Sequence, residues 1–526
     1  LLALPGVNSA GVGSATLRVS ADGSQAILNF QLNNLVGAVT AEHIDADPYL
    51  SYPAVPELFD ISAAHQQTDG SYVWKIKDVS PLAAADILEI LNEGKASIKI
   101  ETSFAGGGEI GGHFTLANGA QTFAAPPAPP AWTEDSADAN AAVRFLTQAT
   151  FGAGSNDIVS VQSLGYAAWI TNQFALPVTH ALPTVVANKS ADPSNPWPSS
   201  DWFNTWWQNA VIAPDQLRQR VAFALSEIMV VSESGTLQDH SDALAAYYDT
   251  LLDNSFGNYR ALLKAVTLSP AMGVYLNMQG NSKGNIITGT HANENYAREI
   301  NQLFSVGLNR LWPDGSLILS SSGNLVPTYN QNVINGFAAT FTGWNYYQTN
   351  QASGRLPASF PSVVNYTNPM VLVPSQHDLT AKLLLDNIVL PPALGTTAVN
   401  ATSNNDTYCS QDLEQALDVI YNNQNVGPYI CRQLIQLLVT SNPSRDYLYR
   451  VVQKFNDNGT GVRGDLQAVV QAILLDYEAR STNLLANPTY GKQREPLLRV
   501  TATARALAAP ASQAGTYAET GTQTNT

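Results

Sequence analysis

The sequence predicts a multidomain chain in which an N-terminal all-β sandwich is joined to a large, mainly α-helical domain. Apolar and polar residues alternate along short segments of residues 1–123, and a period of two is typical of half-buried strands. A run of alanine and proline, AAPPAPPA, then occupies 124–131. After it the apolar period changes to 3.6, which indicates amphipathic helices. The length of 526 residues allows two to four domains.

The first 123 residues are interpreted as a sandwich because several short strands follow one another with turn signals between them. Ala21-Asp22-Gly23 and Asn92-Glu93-Gly94 are such signals. The strands are predicted at Ser14–Ser20, Ala26–Leu32, Tyr72–Ile76 and Ala96–Thr102.

Residues 124–133 are predicted to be a semi-rigid linker, since proline lacks a backbone donor and holds the chain extended. The helical domain is assigned to 134–510, and 511–526 to a polar tail. Within the domain, residues 345–405 are rich in Pro, Asn and Ser and are expected to form a long excursion with short strands. Helices are predicted at Asp138–Ala149, after Pro214, and at Tyr259–Val266, Glu294–Val306, Gln331–Phe341, Gln411–Tyr421, Pro428–Val439, Ser444–Phe455 and Gly464–Leu475.

The composition disfavours two classes of binding partner and indicates where the protein acts. The net charge of −16 disfavours nucleic acid and anionic lipid surfaces, and the sequence has no apolar run of about 18 residues to span a membrane. Charged residues make up 13% of the chain, about half of the usual ~25%, which suits a protein that is extracellular or packs against copies of itself. The chain starts at Leu1 without methionine, and this start is interpreted as a processed one that favours export.

The two cysteines, Cys409 and Cys431, are too few for a disulfide-dense scaffold or a Cys-rich metal or haem site. A bridge between them would suit an oxidising compartment. However, a helix of ~12 residues between them would separate them by ~18 Å. Both a bridge and a buried thiol at Cys431 therefore remain open.

Two motifs stand out in the first 123 residues, Glu42-His43-Ile44 and Gly108–Phe114, which reads GEIGGHF. In these motifs residues 1–123 resemble the chordin-type (CHRD) domain, an extracellular sandwich similar in fold to copper/zinc superoxide dismutase. Members of that family often have His-x-His in the middle, whereas here the second position is Asp45. Any metal site that the resemblance would imply therefore lacks one of its usual histidines here.

Several separated motifs occur in order between about residues 138 and 510. They are Arg144–Gly152, Arg218–Glu227, Asn293–Glu299, Phe341–Trp344, His377-Asp378 with Lys382, and Phe455–Gly459. With these motifs the chain is similar to the bacterial family called domain of unknown function 1800. This resemblance implies an exported helical protein and no particular activity. Because the family usually continues further, Thr526 is interpreted as a processed or incomplete end.

Of all segments in the sequence, the one around Glu299 has the residues most typical of a functional site. On a helix, Glu294 and Arg298 are four residues apart and can pair, and a carboxylate beside a guanidinium can bind a polar substrate or transfer protons.

Arg220 and Glu227 lie two turns apart on an otherwise apolar helix, where buried charges must be paired. Pairing of Arg220 with Glu299 or Glu294, and of Arg298 with Glu227, would create one charged cluster. The alternative is a structural network that fixes helix packing.

His377, Asp378 and Lys382 offer an imidazole, a carboxylate and an amine at a predicted junction between a loop and a helix. Asp378 is placed to cap that helix. The functional alternative is a histidine base oriented by a carboxylate. Neither alternative is decided by the sequence.

Three histidines of the predicted sandwich, His43, His65 and His113, could converge on copper or zinc, because neighbours in a sandwich can be distant in sequence. The alternative is that they are scattered. The sequence identifies no particular cofactor.

Three functions of different classes remain. The favoured one is an exported cell-surface or matrix protein without catalysis, which assembles with itself as a homo-oligomer or filament or adheres to other surface proteins. The second is an extracellular, hydrolase-like enzyme with its site among Glu299, Arg298, Arg220, Glu227, His377 and Asp378. The third is a metal-binding redox accessory that uses the sandwich histidines.

Overall fold

The computed structural model describes 1–3, 7, 9–20, 23–46, 57–68, 70–77, 79, 84–92, 96–106, 108–114, 123, 125–133, 135–191, 194, 197–285, 289–320, 324–348, 359–392, 404–486 and 490–507. Within these residues two large hydrophobic cores form, one in the N-terminal region and one among the helices, and they share no residue. A third, small cluster consists of Ala181, Val185 and Ala245 in the helical region. The predicted division into a sandwich and a helical domain is confirmed.

The N-terminal core is enclosed by two antiparallel sheets. One has the strand order β1-β8-β7-β4-β5 and the other β2-β3-β6. All four predicted strands are confirmed. In β7, for example, Ala96, Ile98 and Ile100 point into the core while the residues between them face outward. The strands are β1 Leu2–Ala3, β2 Val12–Val19, β3 Gln25–Asn33, β4 Val39–Ala46, β5 Glu57–Asp60, β6 Tyr72–Lys75, β7 Ala96–Thr102 and β8 Ile110–His113.

One element contradicts the all-β prediction for this region. Helix α1, Ala84–Asn92, packs on the sandwich core through Ile87, Ile90 and Leu91. These three side chains follow the i, i+3, i+4 spacing of a helix face. The sequence analysis did not predict this helix, whose apolar period is short and ends at the turn signal Asn92-Glu93-Gly94.

The C-terminal region contains helices α2 to α18. Each helix predicted above from its apolar period is present with shifted ends, whereas the helix predicted to follow Asp378 is not, because Lys382 lies in a strand. The helices are α2 Ala139–Ala149, α3 Ser155–Leu164, α4 Tyr166–Ala175, α5 Leu182–Ala191, α6 Ser199–Ile212, α7 Gln216–Ile228, α8 Ser241–Asn254, α9 Tyr259–Thr267, α10 Pro270–Tyr275, α11 Asn295–Gln302, α12 Gln331–Thr340, α13 Asn404–Asn422, α14 Val426–Leu438, α15 Arg445–Asn456, α16 Leu466–Leu475, α17 Tyr477–Arg480 and α18 Pro496–Leu507.

The helix boundaries have local causes. Asp138 caps α2 by accepting hydrogen bonds from the backbone N–H groups of Asn140 and Ala141, which satisfies donors that a helix start leaves open. Phe145, Leu146 and Ala149 of the same helix have no exposed surface. The apolar face therefore fixes how α2 lies on the core.

The predicted excursion between 345 and 405 contains short strands, as expected. β9 Trp344–Asn345 pairs with β10 Val371–Leu372, and β11 Lys382–Leu383 pairs with β12 Val389–Leu390, both antiparallel. Residues 349–358 and 393–403 of the excursion, and the predicted tail, lie outside the described residues.

The residue just before the predicted linker, Phe123, and Trp132 near the end of the linker both contact the helical domain. The ring of Phe123 stacks on Trp312 at 5.6 Å between centroids and lies 5.5 Å from Tyr449. Trp132 meets Tyr477 edge-on at 6.2 Å. The linker is therefore held on the helical domain by aromatic contacts, as well as being stiffened by its prolines.

Cys431 is a free thiol in α14 and is fully buried. This agrees with the buried-thiol alternative for Cys431. The predicted bridge involves Cys409, whose side chain lies outside the described residues. None of the described helices combines the length and the apolar character that a membrane span requires.

Burial raises the pKa of the Cys431 thiol, and only the thiolate is reactive. In a Cys409→Ser variant, we therefore expect a maleimide reagent at mildly alkaline pH to leave Cys431 unmodified in the native protein. Labelling should become complete in guanidinium chloride. Mass spectrometry of the intact protein measures the extent of labelling. Rapid labelling of the folded variant would contradict the burial of Cys431.

Candidate functional site

The six predicted catalytic residues belong to three groups with different partners. Arg298 pairs with Glu294, Arg220 bonds to a backbone carbonyl of α14, and His377 contacts Asp412. The predicted pairing of Arg220 with Glu299 or Glu294, and of Arg298 with Glu227, is wrong. The sequence places these residues on two helices and a loop, but it does not determine which faces of those elements meet.

The first group lies on the outer face of α11. The Arg298 guanidinium contacts Glu294 at 2.6 Å and Gln331 at 2.7 Å, and Gln331 also donates to Glu294 at 3.0 Å. The side chains of Arg298 and Glu294 are 44% and 34% exposed. This is a solvated network that joins α11 to α12.

Glu299 is half-buried, whereas its neighbour Arg298 is exposed. Burial raises the pKa of its carboxyl group, and the charge of Arg298 opposes that rise. In the described part of the chain, neither Oε2 of Glu299 nor the buried hydroxyl of Tyr329 has a hydrogen-bond partner. Burial, and then the charge of Glu299, raise the pKa of Tyr329 to about 12. An acid and a phenol with open hydrogen-bonding capacity therefore lie near each other.

Replacing Arg298 with Gln should lower the free energy of unfolding by less than about 1 kcal/mol, because exposed ion pairs at i,i+4 are weak. Denaturation in urea measures the change. A loss several times larger would show that the pair supports buried structure and is not merely a surface contact.

The second group surrounds Arg220, which is 1% exposed in α7. Its Nη2 donates to the carbonyl of Leu437 at 2.5 Å, near the end of α14, while Nε and Nη1 have no partner in the described residues. Burial lowers the pKa of Arg220 to about 10, Glu227 opposes this, and Arg494 adds to it. The guanidinium is thus held by the negative end of a helix dipole and by nearby charges.

Glu227 lies at the exposed end of this group. Partial desolvation and the charge of Glu495 raise its pKa, against the opposing charges of Arg220 and Lys492. Lys492 contacts Glu495 at 2.9 Å and also donates to Leu437 at 2.9 Å. The group as a whole ties the segment before α18 to α7 and α14, which is a structural role.

The third group is sealed in the core. One nitrogen of His377 lies 2.8 Å from the carbonyl oxygen of Thr342, and the other lies 3.2 Å from Oδ2 of Asp412. The same carboxylate oxygen is 2.7 Å from the ammonium of Lys382, and the side chains of His377, Lys382 and Asp412 are 0%, 0% and 2% exposed. With both ring nitrogens engaged and no exposed surface, His377 has no face to offer a substrate.

Two expectations about this segment are wrong. Lys382 lies in strand β11 and not in a helix. Asp378 accordingly caps no helix, and its carboxylate accepts hydrogen bonds from the backbone and hydroxyl of Thr380. The carboxylate that orients His377 is Asp412, from α13, which the sequence analysis did not single out. Asp412 lies 35 residues from His377, and only one signal could have pointed to it, namely a carboxylate on the apolar side of a predicted helix.

The sandwich histidines have separate contacts. His43 lies 2.7 Å from Asp45 and 3.5 Å from Glu101, whereas His65 contacts Ser62 at 3.3 Å and packs against Phe59. Among the residues whose side chains are described, no group of three His, Cys, Asp or Glu is arranged to hold a metal. The side chain of His113 lies outside that set, so the three-histidine site stays a prediction.

The motif GEIGGHF contains a buried acid that the sequence analysis did not assign. Glu109 has no exposed surface. Its carboxylate accepts hydrogen bonds from Ser9 at 2.5 Å, Thr102 at 2.7 Å, and the backbone N–H groups of Val36 at 2.6 Å and Gly37 at 3.1 Å. Burial alone would raise its pKa, but these four donors outweigh burial and lower the pKa to about 2. Glu109 therefore links three separate segments of the sandwich.

These observations define a two-part protein, a β-sandwich followed by a helical domain whose buried charges are organised chiefly as structural networks. A scan against protein families matches residues 144–525 to the family described as "Protein of unknown function (DUF1800)", and the chain belongs to that family. The match begins within α2 and extends past residue 510, through the segment predicted as a polar tail. Neither curated proteins nor solved structures gave a significant match.

Proposed function

We propose that this chain is an exported cell-surface or extracellular-matrix protein that acts by self-assembly or adhesion, without catalysis. The observation that best supports the proposal is a segment that we call the leucine arm, which consists of the described residues 308–320 and 324–328. Its ends are joined by backbone hydrogen bonds from Thr328 to Leu308 and from Arg310 to Val326. Leu308, Leu317 and Leu325 are 55%, 45% and 50% exposed on it.

Exposed leucines on a hydrogen-bonded arm favour contact with another chain, because burying one such side chain contributes about 1.5–3 kcal/mol. The low charged fraction of 13% weakens repulsion between copies. Trp312 of the same arm stacks on Phe123, so the arm also adjoins the end of the sandwich region. We infer that the occupant of the arm is a second copy of this chain.

Analytical ultracentrifugation and electron microscopy of the purified chain test this proposal. We expect oligomers or filaments for the wild type and a shift toward monomer for the double variant Leu317→Asp, Leu325→Asp. Val159→Asp is the matched control, because Val159 is 64% exposed and belongs to α3, not to the arm. A wild type that stays monomeric, or a double variant that assembles like the wild type, would overturn the proposal. Recovery of the protein in the extracellular or surface fraction tests its export.

A second candidate is an extracellular enzyme that uses Glu299. It is supported by one observation, the open Oε2 of Glu299 beside the open hydroxyl of Tyr329. If the secreted protein cleaves any member of an ester, glycoside or peptide panel, Glu299→Gln should abolish that activity. Undiminished cleavage by the variant would exclude Glu299 as the base.

We further propose that residues 1–123 form a chordin-type module. The support is the role of Glu109, a residue of the GEIGGHF motif, which anchors the segments around Ser9, Val36 and Thr102. A metal-binding redox role for this module is a less favoured proposal. An experimental structure of the full chain tests the fold by superposition, and elemental analysis that finds neither copper nor zinc would exclude the redox role.

A further inference from the structure

Two arginines of the helical domain, Arg144 and Arg480, form what we call the arginine pair. Arg480 is the last residue of α17 and is 4% exposed. Its Nη2 donates to the side-chain oxygen of Gln148, while its Nε and Nη1 are buried without a partner in the described residues. The guanidinium lies 5.0 Å from the ring centre of Phe145 and 5.3 Å from that of Tyr166.

Arg144 of α2 completes the pair. It donates to the carbonyl oxygens of Arg480 and Ser481, and its buried Nε has no partner in the described part of the chain. Burial, followed by the positive charge of Arg144, lowers the pKa of Arg480 to about 10. Two like charges are thus held close together, with three buried nitrogen atoms free to donate.

Other arginines of the domain that are buried or half-buried have nearby carboxylates or a full set of acceptors. Arg220 also has open donors, but the charges of Glu227 and Glu495 act on it. Arg505 is 2.7 Å from Asp157, and Arg450 is 2.7 Å from Asp476. Arg463 has no carboxylate, but all three of its nitrogens donate to oxygens of Tyr421, Asn456 and Asn423.

The arginine pair has neither arrangement. The chain has 42 Asp and Glu residues, yet none of those described lies within ion-pair distance of Arg144 or Arg480.

A counter-anion would resolve this imbalance, because a buried charge is costly unless it is paired. A guanidinium presents its N–H donors in a planar fork that matches the oxygens of a carboxylate or phosphate group. Since aromatic rings lie over Arg480, its donors in the guanidinium plane are the ones open to such a group. Arg144 and the neighbouring Tyr490 are only half-buried, so the pair lies just beneath the surface.

We propose that Arg144 and Arg480 bind an oxyanion, either a free phosphate or carboxylate ion or such a group on a partner molecule. This site is independent of the leucine arm and of the proposed assembly.

Isothermal titration calorimetry of the full chain tests the site, with inorganic phosphate and sodium acetate as separate probes at matched ionic strength. We expect saturable binding of at least one probe, and binding about tenfold weaker or lost in Arg480→Gln and in Arg144→Gln, because each removes charged donors. Arg463→Gln is the matched control, and it should bind like the wild type although it removes a half-buried arginine.

Circular dichroism identifies variants that do not fold. If Arg480→Gln does not fold, the binding measured for Arg144→Gln still tests the proposal. Absence of binding of both probes to the wild type would overturn the proposal, as would unchanged binding by folded Arg144→Gln or an equal loss in folded Arg463→Gln. Binding of the free ions supports the small-ion source. A much tighter interaction with a peptide rich in Asp and Glu than with acetate would indicate a group on a partner.

Discussion

Replacing Asp412 with Asn should lower the free energy of unfolding by about 3–5 kcal/mol, because removing one partner leaves a buried charge uncompensated. The Asp412 carboxylate lies 2.7 Å from the Lys382 ammonium and 3.2 Å from His377, and all three side chains are at most 2% exposed. The amide of Asn has nearly the same shape but no charge. Urea denaturation followed by far-ultraviolet circular dichroism measures the loss.

Glu414→Gln is the matched control, since Glu414 lies on the same helix two residues away. Its pairs with Arg260 and Lys264 are at the surface, where its side chain is 41% exposed, so the change should cost less than about 1 kcal/mol. Equal effects of the two substitutions would contradict the assignment of Asp412 as the centre of a sealed network.

Replacing Glu109 with Gln should destabilise the sandwich at neutral pH. The amide nitrogen of Gln would face donors where the carboxylate now accepts four hydrogen bonds from Ser9, Thr102, Val36 and Gly37. An unmatched buried group costs more than a lost hydrogen bond contributes. We expect faster hydrogen exchange of the β7 amides, Ala96–Thr102, in the full chain, with Glu101→Gln on the same strand as control. Unchanged protection in the Glu109 variant would be incompatible with its anchoring role.

The same carboxylate makes the sandwich sensitive to acid. The folded pKa of Glu109 is lowered from 4.5 to about 2, so the unfolded chain takes up the proton first as the pH falls. The stabilisation is complete above pH 4.5 and is lost progressively between 4.5 and about 2. Wild-type protection of β7 should therefore fall over this range toward that of Glu109→Gln, after correction for intrinsic exchange rates.

Local patterns predicted most of the fold because burial imposes a period on each element. The alternation in Ala96–Thr102 and the helical spacing in α14 each require only neighbouring residues. Helix α1 was missed since its apolar period is short and adjoins a turn signal. The aromatic contacts of Phe123 and Trp132 with the helical domain were not predicted, because they join residues far apart in the chain.

The candidate site was predicted less well for the same reason. Residues close in sequence, His377, Asp378 and Lys382, were grouped together, but the structure excludes Asp378 from the network and brings in Asp412 from α13. Arg298 and Glu227 were expected to pair from charge alone. In the structure Arg298 is satisfied locally by Glu294, because i,i+4 pairing on one helix needs no particular tertiary arrangement.

The sequence by itself determined the two-part architecture, the family and the identity of the charged residues that lie on apolar helices. Only the tertiary structure decided which of those charges neutralise one another, which are sealed from water, and which retain open donors, as Arg480 does. The physical reason is that the hydrophobic period of an element depends on adjacent residues. The partner of a buried charge depends instead on which helix faces pack together, and that is fixed by the shape of the whole core.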